Sequence, residues 1–144
     1  MTHVLVGIGI SIFVMTRLRE FDQLMIAYAL LFSALPDLDF SLKHRAMLHN
    51  IFAAFLLTLP ITYFSEGYLI SMGLTTLSWT AFFASSLIAY LSHLLLDMLT
   101  KAGVSLFWPL SGKYYRLASL RYDDPIANSS LSALGVILIL IALI

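Results

Sequence analysis

The chain has 144 residues, zero formal net charge with histidine neutral, 60% hydrophobic residues and only 11% charged ones. A soluble domain carries roughly 45–50% apolar and about 25% charged residues, and so short a chain cannot hide this much apolar surface in a water-soluble core. The composition therefore excludes a soluble globule and a disordered chain. It predicts an all-α, multi-pass integral-membrane protein folded as one domain over residues 1–144.

The eight Lys and Arg residues are spread along the chain and make no nucleic-acid surface. There is no cysteine, hence no disulfide and no thiolate ligand. The stretch MTHVLVGIGISIFVM lacks a basic leader and a small-residue cleavage site, so it is expected to be retained.

Five helical segments are predicted, separated by clusters of charge. Helix 1 covers residues 4–16 and ends at Arg17, Arg19, Glu20 and Asp22. Helix 2 covers 24–35 and stops at Pro36-Asp37. At about 1.5 Å per residue these two are short for a bilayer, so they span with local thinning or form a shallow hairpin. Helix 3 (about 46–64, up to Ser65-Glu66-Gly67) is long enough to span, and helix 4 (about 70–99) exceeds the need and tilts, protrudes or breaks near Gly73. Residues 101–125 are mixed and aromatic, and helix 5 covers about 126–144. Uniformly apolar runs of this length do not alternate as barrel strands do.

If each segment reverses direction, one membrane face gathers all four histidines and three of the six aspartates. They are His3; Asp37 and Asp39; His44 and His49; and His93 with Asp97. The same face carries Lys43, Arg45, Lys101, Lys113, Arg116 and Arg121 against Arg17 and Arg19 opposite. Six cations against two place it in the cytoplasm by the positive-inside rule.

His93 and Asp97, four apart, share a helical face. In an extended Asp37-Leu38-Asp39 segment both carboxylates point the same way. Carboxylates crowded near lipid repel one another, and an intramembrane charge costs on the order of 2.5–3.5 kcal/mol; a divalent cation relieves both penalties. Nitrogen and oxygen donors without sulfur suit Zn, Mn, Fe or Mg, and the imidazoles favour Zn. With one or two ions on His3, Asp37, Asp39, His49, His93 and Asp97, positions stay open for water and substrate. Arg45, one helical turn before His49, has the planar fork that suits a phosphate, and Thr100 continues the His93 stripe. The expected catalytic residues are Arg45, Asp39 and Thr100. Singly, each of these groups also has an ordinary use: His93/Asp97 as a helix fastener, Asp37/Asp39 as a helix-ending turn, Arg45 as a snorkelling cation. Trp108, Tyr114, Tyr115 and Tyr122, with Lys113, Arg116 and Arg121, form an interfacial belt or a lid over the site. Gly7 and Gly9 allow close helix approach near His3.

Three stretches resemble the YdjM-type, LexA-regulated membrane-bound metal-dependent hydrolases: Leu35-Pro36-Asp37-Leu38-Asp39, His44-Arg45-Ala46-Met47-Leu48-His49, and Ala89 through Gly103 with its Ser92-His93 and Asp97. Thr2-His3 is similar to the family's leading histidine, and the likeness continues through Trp108-Pro109-Leu110 to Arg116. Leu48 and Asn50 stand where the family has Thr and Ser, and Phe40 where a histidine often follows the aspartate pair. The resemblance implies a metal-dependent hydrolase, distantly like zinc phospholipase C. The expected substrate is a phosphoester or ester of a lipid or membrane-associated molecule, and the expected partner is the lipid bilayer. A metal-binding transport or sensing protein is the alternative. Transport needs polar groups near the bilayer midplane, where helices 3 and 4 offer only Ser, Thr and Asn.

Overall fold

A computed structural model describes residues 1–41 and 47–144, the side chains of 39–41 excepted. Its described part contains five α-helices, α1 (Thr2–Arg17), α2 (Leu24–Ala34), α3 (Ile51–Ser71), α4 (Trp79–Met98) and α5 (Pro125–Ala142), with a 3₁₀ helix over Leu35–Ser41. Among the described residues β-pairing is limited to two isolated bridges, Thr100 with Leu120 and Val104 with Tyr115.

Local chemistry sets the helix starts. The Asp22 carboxylate accepts from Leu24 N just ahead of α2. Asn50 caps α3 by accepting from Ala53 N at 2.8 Å. Asp124 caps α5, accepting from Ile126 N and Ala127 N, with Pro125 in the first turn.

The helices form an up-and-down bundle around α4, which packs against α1, α2 and α3, while α5 lies against α1. Contacts along α1 run antiparallel to α4, from His3 with Asp97 through Ser11 with Ser85 to a cluster of Met15 and Phe82. α2 runs the other way, with Met25 in that same cluster and the Ser33 carbonyl against His93. The first two helices therefore follow the depth of the bundle rather than forming a shallow hairpin. α3, α4 and α5 are long and apolar enough to cross a membrane. α3 and α5 leave most of their length outside the core, with large apolar side chains such as Leu56, Phe64, Ile137 and Leu140 exposed, as lipid-facing helices do.

Two boundaries differ from the sequence expectation. Ser65-Glu66-Gly67 does not end α3, because one glycine costs only about 1 kcal/mol in a helix and Leu69, in the following turn, packs on the Met15–Phe82 cluster. The Glu66 carboxylate accepts instead from Trp79 N at the start of α4. The chain turns at Gly73, where φ is +67°, so α4 begins at Trp79, not near residue 70. At the other end α3 begins at Ile51, not near 46, so His49 precedes the helix and helical spacing no longer ties it to Arg45.

Gly9 and Gly135 bring α1 and α5 into backbone contact: a Cβ on Gly9 would sit 2.5 Å from the Gly135 carbonyl oxygen. Gly7 lies equally close to its neighbours, so the two glycines do allow close packing beside His3.

Candidate metal centre

One end of the bundle collects the N-terminus of α1, the end of α2, the start of α3, the end of α4 and the start of α5. His3 comes from the first turn of α1, Asp37 from the 3₁₀ helix, His49 from the approach to α3, and His93 and Asp97 from the last turns of α4. This is the convergence that alternating segments predict.

The half-buried carboxylate of Asp97 is the hub. Its Oδ1 lies 3.0 Å from His3 Nε2, and its Oδ2 lies 3.3 Å from His49 Nε2 and 3.5 Å from His93 Nε2. Asp37, the most exposed member, places Oδ1 3.6 Å from the same His93 nitrogen. The rings are packed together, with His3 and His93 centroids 4.3 Å apart and His49 and His93 5.5 Å apart.

Two overlapping triads, His3-His93-Asp97 and Asp37-His49-His93, each keep their donor atoms within 4.8 Å of one another. The fit to a cation rests most on His93, which is fully buried. Its Nδ1 lies 2.7 Å from the Ser33 carbonyl oxygen. A carbonyl only accepts, so Nδ1 carries the proton. In the neutral ring Nε2 is then a lone pair, buried without a hydrogen-bond partner and facing two carboxylates. Lone pair against carboxylate is repulsive unless a positive charge lies between them or on the ring. Orientation of a histidine through its second nitrogen is also how metal ligands are held. The donor set of imidazole nitrogens and carboxylate oxygens suits zinc or a harder divalent ion.

Sequence reasoning overlooked several supports. The Ser33 carbonyl is a backbone group and leaves no residue-type signal. Tyr90 is fully buried and donates its hydroxyl to the Leu48 carbonyl next to His49; its position three residues before His93 is the clue. Thr2 donates to Asn128 Oδ1 and accepts from Ser132, at 3.3 Å each, linking α1 to α5 beside His3. Asn50, at a family departure, donates to the Met47 carbonyl as well as capping α3.

Thr100 lies just beyond α4, its hydroxyl donating to the Asp97 backbone carbonyl at 2.8 Å, and it lines a recess of about 60 Å³ together with His3 and Asp97. The extended Asp37-Leu38-Asp39 backbone is not found. Residues 35–41 form a 3₁₀ helix, three residues per turn, which removes the strand geometry on which a joint grip by Asp37 and Asp39 rested. The side chain of Asp39 and all of His44 and Arg45 lie outside the described residues. In the aromatic segment Tyr114 and Tyr122 are exposed, while Tyr115 pairs with Val104 through N–O contacts of 2.8 and 3.0 Å.

No curated protein and no solved structure matches the chain. A family model does, described as YdjM inner membrane protein and matching residues 1–144, the whole length. With its apolar spanning helices and its His/Asp cluster at one end, the chain belongs to the YdjM inner membrane protein family.

Proposed function

We propose that the protein is a membrane-embedded metal-dependent hydrolase, cleaving a phosphoester or ester of a lipid or membrane-associated substrate. The observation that carries this reading is the buried His93 Nε2, facing Asp37 and Asp97 with its tautomer set by Ser33. Zinc suits the donors best, with Mn, Fe or Mg as alternatives and one or two ions in number.

His3, His49, His93, Asp37 and Asp97 would hold the cation. Once bound, a divalent ion supplies Lewis acidity toward a substrate oxygen and toward water. The protein supplies the rest. Ser33 keeps the His93 ring in one orientation. Asp97 draws the imidazoles together, with one oxygen toward His3 and the other toward His49 and His93. Thr100 ties the end of α4 to the Asp97 carbonyl and borders the recess. Arg45 would orient the substrate anion. A site at one end of the bundle, not its middle, would work at headgroup depth, where an ester bond is reachable without extracting the lipid. Of the six described cations, Lys101, Lys113, Arg116 and Arg121 fall between α4 and α5 on this side, against Arg17 and Arg19 after α1, which supports a cytoplasmic orientation.

The test is elemental analysis of the purified protein, then a phosphate- and fatty-acid-release screen over lipids with and without chelator. Bound divalent metal and chelator-sensitive release are expected. Metal-free protein that cannot be loaded, or no release from any lipid, would overturn the proposal.

A further inference from the structure

Beyond α4 the chain returns to pair with itself. Lys101 N donates to the Leu120 carbonyl and Leu120 N to the Leu99 carbonyl, each at 3.0 Å. This bridge sets the next two side chains, Lys101 and Arg121, on the walls of one open cleft of about 400 Å³, lined also by Thr100, Ala102, Tyr122 and Asp123. The cleft shares Thr100, Arg121 and Tyr122 with the smaller recess that reaches His3 and Asp97. A molecule seated between Lys101 and Arg121 would therefore lie beside the imidazole cluster.

The charges select its chemistry. Asp123 accepts from Arg121 Nε at 3.0 Å and Nη2 at 2.9 Å, and these hydrogen bonds hold its carboxyl below the usual carboxylate range. The cleft thus presents two cations and one anion. Two of the five guanidinium donors are used, leaving the others and the Lys101 ammonium for a ligand. A net charge of one matches a singly charged phosphodiester better than a doubly charged phosphate monoester. Tyr122, strongly exposed on the cleft wall, and Ala102 give it an apolar side suited to acyl chains.

We infer that this cleft is the substrate's phosphate subsite, with Lys101 and Arg121 as specificity-determining residues, and that the substrate class is a phosphodiester lipid of single negative charge. The inference rests on the hydrolase reading for the fate of the lipid, but not for its binding.

Calorimetric titration of the purified full chain in detergent tests it. The probes are short-chain dihexanoyl phosphatidylglycerol, dihexanoyl phosphatidylcholine and the deacylated headgroup glycerophosphoglycerol. Phosphatidylglycerol is expected to bind more tightly than phosphatidylcholine. Lys101→Gln and Arg121→Gln should each weaken it about tenfold at low salt, as loss of one charge-assisted contact does. Asp123→Asn should tighten it severalfold, a change that a misfolded variant cannot produce. Comparable binding of glycerophosphoglycerol would assign recognition to the phosphodiester alone, and weaker binding would add the acyl chains; both support the subsite. Equal affinity for the two lipids, or indifference to all three substitutions, overturns it. Charge-dependent binding without hydrolysis would sink the enzyme and keep the cleft. Hydrolysis with a KM insensitive to the three substitutions would do the reverse.

Discussion

His93 Nδ1 lies 2.7 Å from the Ser33 carbonyl oxygen, so a contact on the α2 side of the ring decides which nitrogen faces the carboxylates on the other. Ser33 in turn meets Gly7 of α1, where an added Cβ would fall 2.6 Å from the Ser33 Cβ. Gly7→Val should force α1 and α2 apart, destabilise the protein by about 1–3 kcal/mol and lower metal occupancy. Thermal unfolding in detergent, with metal analysis of the folded fraction, checks both effects. A variant of unchanged melting temperature and metal content would show that the close approach is dispensable.

Asp97→Asn keeps the shape of the hub and removes its charge. The amide can donate to an imidazole, so the bundle should still fold. Metal affinity should fall at least tenfold, in line with the roughly 10–100-fold losses seen when even supporting groups of a metal site are changed, and lipid hydrolysis should fall with it. Competition with a chelator of known affinity measures the first, and product release the second.

Tyr90→Phe removes one hydroxyl from a buried position. Its bond to the Leu48 carbonyl is lost, so a cost of about 0.5–1.5 kcal/mol is expected. Because Leu48 precedes His49, metal affinity should fall as well, whereas Tyr28→Phe, which loses a bond to Ser65, should change stability alone. Equal metal affinity in the two variants would remove Tyr90 from the site's support.

Metal removal should lower the melting temperature, since a ligand held only by the folded state stabilises by about 2.7 kcal/mol at a hundred times its dissociation constant. Acidification should act in the same direction. Imidazole binds a cation only as the neutral base, so protons compete for His3, His49 and His93 and metal is released as pH falls. Melting curves across pH, with and without chelator, should converge at the acidic end.

The helical count, the up-and-down order and the meeting of His3, His49, His93 and Asp97 were legible because charge clusters punctuate the apolar runs and alternation puts the histidines at one end. The α3–α4 boundary was less so. Glu66 looks like a loop residue, and only its reach to Trp79 N explains why it sits in a helix. The 3₁₀ turn after Ala34 was not legible either: Pro36 disfavours a continued α-helix at the residue before it, yet does not force an extended chain. Ser33 acts through its carbonyl, which every residue has, so no side-chain pattern announces it.

The backbone contact of Gly9 with Gly135 joins two helices separated in the chain by the whole intervening bundle. His3 rides on one of them, and its neighbours Thr2 and Leu5 lean on the other. A nascent polypeptide lacking α5 would hold this imidazole only from the α4 side, through Asp97 and the His93 ring, so the His3 side of the centre gains its second flank only after the late-made segment has docked.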